Sequence, residues 1–265
     1  MTQHKGTALV TGASSGIGAA YAEQLAARGH DLVLVARDAA RLRTAADRIG
    51  RETGVAVTVL PADLTRPAEL TSVRDRLATD ADLSLLVNCA GLGPLGPSLD
   101  SPTDLYDGML DLNVRALQTL TFAAARAFAD RGGGGTIINV ASVVALAPER
   151  FNAAYAANKA FVLTLTQGLA AELSAKGVRL QAVLPGVTRT EFFDRAGADI
   201  RQIPAEMIME ARDLVAAALA GLDAGEAVTI PSLPDISDWQ ALEAARFRLG
   251  PNLSHRVPAG RYGLV

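Results

Sequence analysis

The chain of 265 residues is poor in cysteine, histidine, aromatic side chains and surplus charge of either sign. Its one cysteine, Cys89, excludes an intrachain disulfide and fits a reducing compartment. Cys89 and the three histidines, His4, His30 and His255, are too scattered to suggest a metal-ligand cluster. Lys+Arg 25 against Asp+Glu 28 leaves a formal net charge of -3, so there is no basic field for phosphates and no nucleic-acid partner is expected. No apolar run reaches the roughly 20 residues that span a bilayer, and no charged segment leads into an apolar core at the start. No membrane association is therefore expected, and the protein reads as cytoplasmic. With 49% hydrophobic and 20% charged residues the composition excludes intrinsic disorder.

What is present is alternation. Apolar runs rich in Val, Ile and Leu at residues 7–10, 31–36, 55–60, 83–88, 136–142, 178–184 and 228–230 read as seven strands. Between them apolar residues recur at helical spacing, as at Ile17, Tyr21 and Leu25 or Leu70, Val73 and Leu77. This order predicts an α/β fold with a doubly wound parallel sheet, helices on both faces and a ligand site beyond the carboxyl ends of the strands. No Pro/Gly/Ser-rich linker divides the chain, and the glycines at 132–135 read as a helix stop and turn. Residues 1–230 are read as one catalytic domain. Residues 231–265 are read as a tail, carrying a short helix near 238–249 with Trp239, Leu242 and Phe247, that packs on the domain or on a partner subunit. Residues 186–204 lose the alternation and read as a long loop.

Directly after the first strand comes Thr11-Gly12-Ala13-Ser14-Ser15-Gly16-Ile17-Gly18, and a helical pattern starts within it. Glycines let the backbone approach a pyrophosphate closely, and free N–H groups at a helix start stabilise its charge. The second strand ends Val35-Ala36-Arg37-Asp38. A guanidinium there pairs with a ribose 2′-phosphate, whereas a carboxylate bonds the free ribose hydroxyls. Arg37 points to NADP(H); the competing reading gives the ribose to Asp38 and leaves Arg37 as a solvated charge. At the end of the third strand Asp63, with Leu64 beside it, either accepts from an adenine amino group or caps the next helix.

Tyr155 and Lys159 stand four residues apart, on one face of a helix expected over residues 152–173. A phenol titrating near ~10 is a poor acid or base at neutral pH, and an adjacent ammonium is expected to lower that value. Ser142, at the end of the fifth strand, either bonds a substrate oxygen or caps a helix.

These segments together resemble the short-chain dehydrogenase/reductase family over roughly residues 5–230. The loop at 11–18 looks like the family's Thr-Gly-x-x-x-Gly-x-Gly fingerprint. Asn88-Cys89-Ala90-Gly91 is similar to its Asn-Asn-Ala-Gly segment, with Cys89 in place of the second asparagine and read as a small apolar residue. Asn113, Ser142, Tyr155 and Lys159 match the catalytic tetrad. Pro185-Gly186-Val187-Thr188-Arg189-Thr190 resembles the loop over the nicotinamide, with Thr188 and Thr190 at the carboxamide-contacting positions. The resemblance implies a Rossmann-type fold and hydride transfer between a nicotinamide and a carbonyl or secondary alcohol. It makes Tyr155 the general acid/base. Lys159 would hold the ribose and lower the tyrosine pKa, Ser142 would polarise the carbonyl, and Asn113 would hold a water in the proton path.

Phe192 and Phe193, with Leu95, Leu99, Val143, Val144 and Leu146, are expected to line a pocket for a hydrophobic substrate. No Gly-Gly-containing last strand follows residues 228–230, so a homodimer stands beside the family's homotetramer. A nucleotide sensor without turnover and a redox-neutral epimerase or dehydratase are the alternative functions.

Overall fold

The computed structural model describes residues 5–94, 96–197 and 199–264; His4 and Leu95 lie outside them. One compact unit ends at Pro231 and a second begins at Ser232.

In the first unit, strands β1 (Thr7–Thr11), β2 (Asp31–Ala36), β3 (Val57–Pro61), β4 (Leu83–Asn88), β5 (Gly135–Val140) and β6 (Val178–Val183) alternate with helices. The helices are α1 (Gly16–Ala27), α2 (Ala39–Thr53), α3 (Pro67–Thr79), α4 (Thr103–Leu110), α5 (Leu117–Asp130) and α6 (Ala153–Leu173). After β6 come β7 (Thr188–Arg189), α7 (Phe192–Arg195), β8 (Met209–Glu210), α8 (Ala211–Asp223) and β9 (Val228–Thr229). Seven strands form one parallel sheet in the order β3-β2-β1-β4-β5-β6-β9, while β7 and β8 pair separately. This is the Rossmann-type doubly wound sheet, as the alternation predicts.

The strands are apolar on both faces because both are covered. Ala8 and Val10 of β1 point into one core with residues of α1, α2 and α8. Leu9, between them, points into the other with residues of α3 and α5. The strand order reverses between β1 and β4, so their carboxyl-end loops diverge and open a crevice.

Three local departures matter for the site. β5 stops at Val140, two residues short of Ser142, which instead starts a 3-10 turn at Val143–Leu146. Asn113 sits in a π-helical turn, Asp111–Ala116, between α4 and α5, rather than inside a regular helix. The expected loop at 186–204 contains β7 and α7, because Thr188 and Arg189 find a ladder partner in Met209 and Glu210.

The second unit holds α9 (Ile236–Phe247), capped by Asp235 accepting from the Ser237 N–H, and two 3-10 turns. None of its described residues is buried, and Leu242, Phe247, Leu249 and Leu253 are all exposed.

Candidate active site

The crevice between the β1 and β4 ends is a cleft of about 510 Å³. Its floor is backbone. Gly12, Ser14, Ser15, Gly16, Ile17 and Gly18 all line it. A Cβ on Gly18 would run into the Gly12 carbonyl oxygen, so only glycine lets the loop fold back on itself before α1 begins. Ser15 occupies the N-cap of α1 without making a side-chain cap, and the first turn carries no acidic residue. The helix therefore presents unsatisfied N–H groups and the positive end of its dipole to the cleft, as an anion site requires.

The side walls add charge. Arg37, at the end of β2, is exposed on the lining and has no hydrogen-bond or ion-pair partner among the described residues. Asp38 caps α2 through Oδ1, which accepts from the N–H groups of Ala40 and Arg41 at 3.0 Å each, and its Oδ2 lies 3.6 Å from Arg41 Nε. Asp63 also lines the cleft with Leu64. It caps no helix, since Arg66 holds that position, and folds instead onto Thr65, accepting from its N–H at 3.0 Å and its hydroxyl at 2.7 Å. Burial opposes ionisation of Asp63, but the Thr65 bonds and the charges of Arg37 and Arg66 outweigh it and hold the carboxyl below its usual range.

At the β4 end, Ala90 and Gly91 line the cleft and Asn88 does not. The Asn88 side chain turns into the protein, donating to the Thr121 hydroxyl at 3.0 Å and to Asn139 Oδ1 at 2.9 Å. The amide therefore faces away from the cleft, because a buried amide is held by partners that satisfy it. Thr11 accepts from the N–H groups of Cys89 and Ala90 at 3.0 and 3.1 Å and ties the β1 end to the β4 end. Burial pushes the Cys89 thiol up to about 12, which keeps it protonated and fits its reading as a small apolar residue.

Tyr155 and Lys159 project from α6 into the wall of the cleft, with Lys159 Nζ 5.7 Å from the Tyr155 ring centre. The ammonium donates to the Val140 carbonyl at 3.0 Å. Burial governs both groups. It drives the Tyr155 phenol above its ordinary value and Lys159 down to about 8. The phenol therefore stays protonated. Gly93 touches this arrangement: a Cβ there would strike the Tyr155 ring. Its only sequence signal was the Gly-x-Gly spacing after β4.

Asn113 and Ser142 lie beside the cleft rather than on its lining. Both ends of the Asn113 amide clamp Leu92, accepting from its N–H at 3.0 Å and donating to its carbonyl at 2.7 Å. A Cβ added to Gly91 would lie 3.3 Å from Asn113 Oδ1 and 3.7 Å from Lys159 Nζ, so the three residues converge. Ser142 Oγ donates to the Pro185 carbonyl at 3.3 Å and accepts from the Val144 N–H at 3.3 Å. The capping reading describes its present bonds.

Opposite the tyrosine, Pro185, Gly186, Thr188 and Thr190 close the cleft, and a Cβ on Gly16 would meet Thr190 Cγ2 at 2.9 Å. Phe192 packs against Tyr155 with ring centres 5.8 Å apart, and Phe193 stands edge-on to Phe192 at 6.0 Å. Both phenylalanines line the cleft, whereas Leu99, Val143, Val144 and Leu146 do not. Leu99 is 97% exposed, too solvated to build a pocket wall. Arg41, Glu191 and Arg195 also reach the lining; as ordinary surface charges in sequence they carried no signal.

Among the described residues no group of three metal-ligating side chains occurs, and no helix is long and apolar enough to cross a membrane.

A family profile described as short chain dehydrogenase matches residues 6–201. A solved short-chain dehydrogenase from Sphingobium yanoikuyae in complex with NADPH is 48% identical, with TM-score 0.93 over 97% of this chain and 100% of that one. A bulky-bulky ketone specific alcohol dehydrogenase from Comamonas testosteroni is 43% identical, with TM-score 0.90 over 98% and 99% of the two chains. A short chain dehydrogenase of Pseudocercospora fijiensis is 37% identical over 188 residues, 70% of this chain; the chain matches only 60% of that relative's length. A glycine-floored crevice at the β1/β4 reversal, with a Tyr/Lys pair in its wall, agrees with these likenesses, and the chain belongs to the short-chain dehydrogenase family.

Proposed function

We propose that the protein is an NADP(H)-dependent oxidoreductase acting on a carbonyl or secondary alcohol, with reduction the favoured direction. The observation that carries this reading is Tyr155 and Lys159 in the wall of the same cleft whose floor is the glycine loop. The choice of NADP(H) is supported by Arg37, whose guanidinium makes no hydrogen bond or ion pair among the described residues, while Asp38 Oδ1 caps α2. It agrees with the NADPH bound to the Sphingobium relative.

When bound, the nicotinamide supplies or accepts the hydride. The chain's own residues manage the proton and the carbonyl. Tyr155, kept as a neutral phenol by burial, donates its proton to the carbonyl oxygen as charge develops there. In its charged form Lys159 stabilises the phenolate that is left and bonds the cofactor ribose. Ser142 holds the carbonyl oxygen by exchanging its bond to Pro185 for one to substrate. Asn113 fixes the backbone of Leu92 through its side-chain amide, a positioning role beside the water-holding one implied by the resemblance. Thr188 and Thr190 would hold the carboxamide, and Phe192 and Phe193 favour a bulky apolar ketone; the Comamonas relative is named as specific for bulky-bulky ketones.

We further propose a cytoplasmic homodimer or homotetramer. The exposed apolar side chains of α9 and the segment after it are its candidate contacts, since a 12-residue helix is marginal unless its apolar face is covered. A nucleotide sensor is favoured by one observation only, the commitment of Ser142 Oγ to Pro185 and Val144.

Oxidation of NADPH and NADH with a series of diaryl and aryl-alkyl ketones tests the reading. NADPH-preferring turnover of at least one ketone is expected, with the preference lost in Arg37→Ala. Tight NADPH binding with no turnover of any ketone would favour the sensor.

A further inference from the structure

A second guanidinium stands on the Arg37 side of the cleft, held by a carboxylate from the opposite side. Arg41, in the first turn of α2, donates through Nη1 to both carboxylate oxygens of Glu191, at 2.9 and 2.8 Å. Glu191 precedes α7, immediately after Thr190, so the pair bridges the β2 end and the loop that follows β6. Arg195, one helical turn on, donates to Glu191 Oε2 at 2.6 Å and to Ser15 Oγ of the glycine loop at 3.1 Å. Arg37, Arg41, Glu191 and Arg195 all line the cleft.

One carboxylate thus gathers two guanidiniums beside a third, Arg37, that makes no hydrogen bond or ion pair among the described residues. The Arg41 side chain is 50% exposed and that of Glu191 43%, and ion pairs this open to water contribute little net stability. A phosphate carrying close to two negative charges offers a guanidinium the same charge-assisted bonds with more acceptors and more charge, and it displaces a single carboxylate. Arg195 still bonds Glu191 after Arg41 leaves and, through Ser15, still ties α7 to the glycine loop, so the exchange breaks one bridge without releasing the loop.

We propose that Glu191 is an internal surrogate for the 2′-phosphate of NADP(H). It occupies Arg41 while the cofactor is absent, and Arg41 then crosses to join Arg37 on that phosphate. Arg41 is on this account a second determinant of NADP(H) over NAD(H), and Glu191 is a competitor that sets how tightly the phosphate is held. The inference rests on the NADP(H) reading.

The test is calorimetric titration of wild type, Arg41→Gln, Glu191→Gln, the double variant and Arg37→Ala with 2′,5′-ADP and with 5′-AMP. The two nucleotides share everything but the 2′-phosphate, and 5′-AMP affinity reports that each variant is folded. Arg41→Gln is expected to weaken 2′,5′-ADP by about tenfold while leaving 5′-AMP within about twofold. Glu191→Gln is expected to tighten 2′,5′-ADP several-fold, and to have no such effect once Arg41 is glutamine. Equal effects of Arg41→Gln on both nucleotides, or a weakening by Glu191→Gln, would overturn the inference while the Arg37 preference stands. Absence of any 2′-phosphate preference in wild type would overturn the NADP(H) reading and this inference with it.

Discussion

The floor and the catalytic wall of the same cleft are built by different means. The floor is backbone, made by glycines with no room for a Cβ and by the start of α1, and its shape follows from residue type and spacing alone. The wall and the layer behind it are side chains, and most of them already have structural partners: Lys159 on Val140 in the lining, with Ser142 on Pro185 and Asn113 on Leu92 beside it. A glycine loop announces its function in sequence; a hydrogen-bonded wall announces residue identities without saying which bonds they keep.

If the floor is as intolerant as its geometry indicates, Gly18→Ala has the largest effect. Its Cβ collides with the Gly12 carbonyl, backbone that has no rotamer to yield. We expect a loss of about 1–3 kcal/mol in stability and no thermal shift on adding NADPH. A normal shift would show that the loop relaxes more freely than this.

Gly93→Ala probes the wall. Its Cβ displaces the Tyr155 ring and leaves the floor untouched, so kcat is expected to fall by about 10- to 100-fold with NADPH affinity unchanged. Parallel loss of both would mean that floor and wall are one unit.

Burial of Lys159 sharpens the comparison through pH. Its value in the folded chain, about 8, lies below the ordinary 10.5, so the unfolded chain binds more protons between those limits. Lys159 therefore contributes stability that grows as pH rises from about 8 toward 10.5 and is lost as pH falls through 8. The Tm of wild type relative to Lys159→Met is expected to rise over that window. A flat difference would show that the ammonium is solvated in the free enzyme. The smallest effect is expected at Cys89: with its thiol pushed up to about 12, wild type should resist alkylation at pH 8, and Cys89→Ala should keep its kcat within about twofold.

The sheet was legible because strands covered on both faces read as continuous apolar runs, and the crevice because strand, glycine loop and helix follow one another at residues 7–27. The short elements of residues 186–204 were hidden, since β7 exists only through its pairing with Met209 and Glu210, some 20 residues away. Sequence puts Asn88 in the segment at the β4 end without saying which way its amide turns. The Lys/Tyr spacing shows a neighbouring charge but not the burial that acts on both groups.

The most direct test of the account is NADPH-dependent ketone reduction by Tyr155→Phe, measured together with its NADPH affinity. The account predicts that kcat falls by about a thousandfold, within the range of general acid catalysis, while the dissociation constant for NADPH stays within about twofold. Retained turnover in the phenylalanine variant would contradict it, because no other group lining the described cleft has been assigned the proton.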